Sequence, residues 1–492
     1  ALLDAFVYHN YFIGSNPGNI RLGRQVVSWG ESTFIGNSIN SINPIDVAAF
    51  RRPGAEIKEG LLPVEMLYLS QGITDNLSME MFYQLKWHPS AIDNCGTFFG
   101  ADTLAVGCND RLVVYGPDFP QGQGGNVDPF AGLAPFGLAS DSVGYIVRAR
   151  KDKEARDDGQ WGVAFRYFAP ELNDTEFGFY AMNYHSRTPF YSSVAGSYLA
   201  VTGSMEPALR PFGGGPGFVG ALMDPTSPLN AAANATLTAL QGANAMRTAG
   251  RIQGIDGAMG PAGYFFEYPE DIRLYGVSFQ TSISGVSVGG ELSYRPNMPM
   301  QINTGDQSRA ALVAALSADN THRNLSPGVG TEFKGYERKE LWQAQVTAVH
   351  FIDQVLGASR LSLVGEAGVN YIGGLGDTTK FGRDSLFGQS PYLESDVGAV
   401  PGDCAAVDAA SRTGQNKAIS WCENDGFYTR WSSGYRVRAA LEYSNVFRGI
   451  NLSPSIAWSH DVDGYGPNFT EDAKSVSLGL NADYANKYNA SI

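Results

Sequence analysis

The sequence predicts an all-β chain, a transmembrane antiparallel β-barrel with long, partly helical extracellular loops. Three observations lead there. Apolar and polar residues alternate with period two over many segments of about ten residues. Several of the apolar stripes end in Tyr or Trp, as a membrane interface favours. The connections between segments alternate between short and long.

The clearest strand is 77–87, where every odd position is apolar or aromatic and the even ones are polar except Phe82. A pleated strand sends the two sets to opposite faces. The pattern recurs with Val143, Tyr145, Val147 and Ala149, and again with Trp161, Val163, Phe165 and Tyr167. It continues through Val286 to Tyr294, Trp342 to Ala348, Tyr435 to Tyr443 and Val476 to Tyr484. About fourteen strands are legible in this way.

Short connections are expected at Asn16-Pro17-Gly18, Thr74-Asp75-Asn76, Ser284-Gly285, 353–359 and 445–449. Long ones are expected at 34–63, 88–141, 187–270, 297–338 and 375–429. Segments 142–151, 160–169 and 175–186 break the alternation, since three strands then precede the long 187–270 connection. Either one of the three is misread or a further strand lies within 192–201; the further strand is the preferred reading. Leu229–Arg251 and Ser308–Leu316 carry helical spacing and read as ordered loop filling.

Composition agrees. The 492 residues carry a net charge of -14, with 17% charged and 43% hydrophobic residues. No apolar run approaches the eighteen or so residues of a transmembrane helix, and a barrel needs none. The acidic balance argues against nucleic acid as a partner. Cys95 with Cys108, and Cys404 with Cys422, read as two loop-stapling disulfides of an oxidising compartment. Neither pair has zinc-site spacing, so no metal or other cofactor is expected.

Two constellations carry candidate chemistry. Segment 34–63 is too polar to cross lipid, and it reads as an inward-folded constriction in which Arg51, Arg52, Glu56 and Glu59 set a local field. The polar strand faces place Glu80, Arg148, Arg150, Arg166, Glu291, Arg295, Glu366, Arg436, Arg438 and Glu442 toward the lumen. Mutual pairing that fills space is favoured there over a ladder that orients cargo. Three apparent motifs are discounted: a dinucleotide-like Gly215-x-Gly217-x-x-Gly220, a calcium-like Asp461-x-Asp463-Gly464, and a hydrolase-like His185-Ser186. The chain does not read as an enzyme.

Gly23-Arg24-Gln25-Val26-Val27-Ser28-Trp29-Gly30-Glu31 and Ile42-Asn43-Pro44-Ile45-Asp46 resemble a known family, as do Leu61-Leu62-Pro63, Leu77–Gln84 and Met182-Asn183-Tyr184-His185-Ser186-Arg187. It is the large proteobacterial outer-membrane family classed as a domain of unknown function, often encoded near RND-type transporters. The resemblance spans most of the chain and implies integral outer-membrane location, among lipid and lipopolysaccharide. It implies an RND-type or periplasmic transport partner, and 16 or 18 strands in the complete protein. By broad similarity to FadL-type channels it implies passive passage of hydrophobic or amphipathic small molecules. A diffusion porin and a non-transport surface or assembly protein are the alternatives. Gly289-Gly290 and Gly373-Gly374 are candidate weak points for sideways release.

Overall fold

The computed structural model describes residues 4–50, 60–100, 103–105, 107, 111–115, 143–195, 200–202, 263–313, 330–377, 379–383, 425–485 and 487–492. The strands are β1 (Ala5–Ile13), β2 (Asn16–Gln25), β3 (Val64–Gly72), β4 (Leu77–Gln84), β5 (Arg111–Tyr115), β6 (Val143–Arg148) and β7 (Trp161–Ala169). Next come β8 (Thr175–Tyr184), β9 (Phe190–Val194), β10 (Ala200–Thr202), β11 (Gly263–Glu267), β12 (Ile272–Ile283) and β13 (Val286–Gln301). The last are β14 (Glu332–Phe333), β15 (Tyr336–Asp353), β16 (Arg360–Gly373), β17 (Trp431–Phe447), β18 (Ile450–Asp463), β19 (Lys474–Tyr484) and β20 (Tyr488–Ser491).

Fourteen of them form one sheet in the order β1-β2-β3-β4-β7-β8-β12-β13-β15-β16-β17-β18-β19-β20, every pair antiparallel. Its connections alternate without exception between tight turns on one side and longer segments on the other. The tightest turns follow backbone chemistry. Ser284 and Gly285 both have positive φ, 51° and 80°, between the paired residues Ile283 and Val286. Arg448 and Gly449 repeat the arrangement between Phe447 and Ile450. Two central residues of positive φ match the right-handed twist of the flanking strands.

The alternating faces lie where the sequence places them. On β4, Phe82 and Gln84 are buried while Met81 and Tyr83 are exposed, as is Leu85 just beyond it. Along β15, Gln343, Gln345 and Thr347 are buried while Trp342 and Val346 are exposed. Tyr275, Tyr294, Trp342, Tyr371 and Trp431 are successive cross-strand partners, so one aromatic row crosses five strands near the long-loop end. Tyr167, Phe177 and Phe279 make a second row toward the short turns. Apolar residues between two aromatic rows form the lipid-facing band of a transmembrane β-barrel.

A second, smaller sheet of β10-β6-β11-β9-β14, with β5 beside β6, is built from the long connections. This corrects the strand count at 142–151. Segment 143–148 is β6 of the smaller sheet, so the broken alternation came from a misread strand. Strands do occur at 190–194 and 200–202, but both belong to the smaller sheet. Tyr191 stacks on Tyr264 at 5.6 Å, with the edge of Phe266 beside them and Ile146 in the same cluster. A second correction is local: Asn16-Pro17-Gly18 lies within β2, and the turn falls at Gly14 and Ser15. A helix spans Thr304–Val313, overlapping the expected 308–316, whereas 229–251 lies outside the described residues.

Candidate functional site

The longest-range contacts converge on the segment that leaves β2. Trp29 is 1% exposed and packs against Phe82 and Tyr180, ring centroids 5.1 and 5.8 Å away. Its indole N–H donates to Glu80 Oε2 at 2.6 Å. Val27, Ile39 and Ile42 join it in an apolar cluster with Met66, Met182, Ile272 and Leu274 from the inner face of β3, β8 and β12. Dispersion and dehydration hold this flank.

Between those anchors, residues 31–38 reach the polar side of the wall. Glu366 on β16 accepts the N–H groups of Thr33 (2.7 Å), Phe34 (3.1 Å) and Ile35 (2.6 Å), and the Thr347 hydroxyl at 2.9 Å. Glu291 on β13 accepts the Glu31 N–H at 2.6 Å and Gln345 Nε2 at 3.0 Å. Three successive backbone donors wrapped around one carboxylate make a nest, the arrangement that satisfies a buried anion without a cation. Arg295 donates to the Ser38 carbonyl (2.7 Å), the Ser41 hydroxyl (2.9 Å) and the Tyr184 hydroxyl (2.9 Å). Gly36 presents its carbonyl to Gln343 at 2.8 Å and to Asn468 at 3.2 Å.

These contacts require a curled sheet. On a flat one, the six steps from β4 to β16 span about 29 Å. Trp29 and Thr33, which bond those two strands, are at most about 14 Å of chain apart. Side chains stand off a sheet and add little lateral reach, so the wall bends around the segment. Gly30 shows how close the approach is: it has φ +86°, and a Cβ there would collide with the Glu291 carboxylate.

The segment's exit is tied down outside the wall by a knot around Arg187. This side chain donates to His88 O (2.8 Å), Ile42 O (3.1 Å), Gln160 Oε1 (3.1 Å) and Gln84 Oε1. Burial pulls its guanidinium down to about 10, which leaves it charged at neutral pH. His185 donates from Nε2 to Asp158 O and accepts the Asp271 N–H at Nδ1, so the ring is occupied on both sides. Its neighbour Ser186 donates to Thr188 O, and the Ser186 carbonyl accepts the Trp87 indole N–H. His185-Ser186-Arg187 thus joins the β4–β7 and β8–β12 connections to the strap.

The other expected lumen residues divide into groups. Arg166 pairs with Glu80 (3.3 Å) and Glu176 (2.8 Å), and Arg436 pairs with Asp461 at 2.6 Å. Asp461 also accepts the Thr470 N–H, so it serves a strand end. Arg438 and Glu442 lie on β17. Arg148 and Arg150 need correction, since neither belongs to the main sheet: Arg148, at the end of β6, pairs with Asp152, and Arg150, two residues past β6, pairs with Glu332 of β14 at 2.8 Å. Arg51, Arg52, Glu56 and Glu59 lie outside the described residues. So do Cys108, Cys404 and Cys422, and with them the expected pairings. The Gly289-Gly290 weak point is filled, since the Phe279 ring covers Gly290 and the Glu31 side chain covers Gly289.

The family model described as "Protein of unknown function (DUF1302)" matches residues 1–492. The chain belongs to this family. No curated protein matches it. The solved structures similar to this family member include the outer membrane channel DcaP of Acinetobacter baumannii, at 8% identity and a TM-score of 0.30, covering 98% of this chain and 83% of that one. Pseudomonas putida OprB is similar at 8% identity and a TM-score of 0.32, covering 99% and 72%. A FadL homologue of Pseudomonas aeruginosa is similar at 10% identity and a TM-score of 0.27, covering 97% and 78%.

Proposed function

We propose that the protein is an outer-membrane channel for passive passage of small molecules, with the strap 29–43 as its constriction. The observation that carries this reading is the binding of the Thr33, Phe34 and Ile35 N–H groups to Glu366, on the inner face of the opposite wall. A polar segment spanning a lumen narrows it, and the groups lining the gap then select what passes.

The proposed cargo is hydrophobic or amphipathic. The inner face beside the strap is lined by Tyr68, Phe82, Tyr180, Met182 and Tyr184, an unusual concentration of apolar and aromatic groups for a water-filled lumen. A diffusion porin is the second reading, favoured by the amide and hydroxyl side chains Gln343, Gln345, Asn370 and Ser432 on the opposite wall. Uptake by proteoliposomes of a long-chain fatty acid against a small sugar separates the two. Preferential entry of the fatty acid supports the first reading and of the sugar the second; equal exclusion of both overturns the channel.

A further inference from the structure

The strap is held by different forces at its flanks and at its tip. Its flanks, Val27 to Trp29 and Ile39 to Ile42, sit in the apolar cluster of β3, β4, β8 and β12. Its tip, 31–38, meets β13, β15 and β16 through hydrogen bonds to Glu291, Glu366, Gln343, Gln345 and Thr347. Only Ile35 adds a fully buried apolar contact on that side, toward Gly368.

The wall behind the tip is unsettled as it stands. Gln343, Asn370 and Ser432 are successive cross-strand partners on the inner face, each 1% exposed or less. Gln343 Oε1, both Asn370 amide atoms and Ser432 Oγ are sealed from solvent with no hydrogen-bond partner among the described residues. A sealed, unpaired polar group is unfavourable. Moving the tip and the neighbouring 464–469 turn aside hydrates all of them at once. On the opposite flank, the same movement would strip Trp29 and Ile39 from apolar neighbours.

From this asymmetry the geometry points to a latch. Residues 31–38 swing away from β13–β16 while the Trp29 and Ile42 flanks stay in place, and Glu366 and Glu291 are the positioning residues that hold the latch shut. The swing uncovers Gln343, and with the 464–469 turn drawn aside as well the whole Gln343–Asn370–Ser432 row, so the opened gap offers neutral amide and hydroxyl groups to the polar end of a passing solute. The role of this movement in conduction rests on the channel reading; the movement itself does not.

Hydrogen exchange of the purified full-length chain, read by mass spectrometry, tests the movement without requiring transport. In Glu366→Gln, amides 33–35 are expected to exchange roughly tenfold faster, as loss of a charge-assisted nest implies, with peptides containing Trp29 and Ile42 unchanged. Unchanged exchange at 33–35, or equal acceleration across 27–43, overturns the latch. Planar-bilayer conductance supplies the second arm. Ser38 and Ser293, whose hydroxyls are 3.2 Å apart, are replaced together by cysteine to lock the tip. Low conductance when oxidised and recovery on reduction, beyond any change in the unmodified chain, are expected. If Glu366→Gln loosens the tip but neither it nor the wild type conducts, the latch stands and the channel reading falls. If the double-cysteine variant conducts equally oxidised and reduced, the channel stands and the latch is not its gate.

Discussion

Glu366 Oε1 accepts the backbone N–H of Ile35 at 2.6 Å, across 331 positions of sequence. That bond joins the segment after β2 to the tenth strand of the main sheet's order. Glu366 is 2% exposed, so its charge is met by backbone dipoles in place of water.

Trp29→Ala removes the largest side chain of the strap's anchor and leaves the Glu80 carboxylate without its indole donor. A loss of about 3–5 kcal/mol is expected from the cavity. Urea titration of the folded band in a detergent gel-shift assay measures it; a midpoint equal to wild type contradicts the anchor.

Gly30→Ala meets two obstacles, a φ of +86° and the Glu291 carboxylate. The expected cost is about 1–3 kcal/mol, expressed as faster exchange of the Glu31 amide. An unchanged amide would show that the approach relaxes freely.

Val346 and Thr347 are adjacent on β15 and face opposite ways, Val346 being 49% exposed. Val346→Arg puts a charge against lipid at mid-strand and is expected to destabilise the folded barrel by about 2–4 kcal/mol. Thr347→Val instead removes a donor to Glu366 and is expected to cost about 1–3 kcal/mol. The ordering is read by unfolding in lipid vesicles. A reversal of the two would reverse the assignment of faces.

Arg187→Lys keeps the charge and loses the fork that reaches four acceptors. The knot is expected to weaken by about 2–4 kcal/mol, which shows as faster protease cleavage in 84–90 and 157–160 with the barrel intact. Cleavage at wild-type rate would assign the knot to other groups.

Outside the membrane, the hydrogen bond from Arg156 holds the Asp271 carboxyl below its usual value, and Lys153 does the same for Glu332. A depressed folded value stabilises above the unfolded one, about 4 for either residue, and the benefit disappears as pH falls through the folded value. Both carboxylates are partly exposed, so each contributes a fraction of a kcal/mol. Pepsin nicking of the long-loop side is expected to rise below about pH 4, with a smaller acid-dependent rise in Asp271→Asn with Glu332→Gln. An identical rise in that variant would remove these pairs from the account.

The sheet was legible because its physics is local. Period-two alternation on β4, β7, β13, β15 and β17 fixes which side chains meet lipid, and the row from Tyr275 to Trp431 follows from the same spacing. Segment 143–148 misled because a half-buried strand alternates alike in a membrane wall and in a loop sheet. The strap announced itself through polarity and the Trp29-Gly30-Glu31 run. Its partners did not: nothing in the sequence joins Ile35 to Glu366, and a carboxylate on an inner face fits an arginine as well as a backbone nest. Arg295 and Glu291, four residues apart on β13, both turned to the strap and not to each other.

Asn37 bonds Asn468 across 431 positions, at the connection between β18 and β19. The strap therefore takes support from an element that follows it by more than four hundred residues. A wall completed first would have to admit a strap of about fifteen residues through a finished rim, while a strap already in place gives the later strands a surface to close upon.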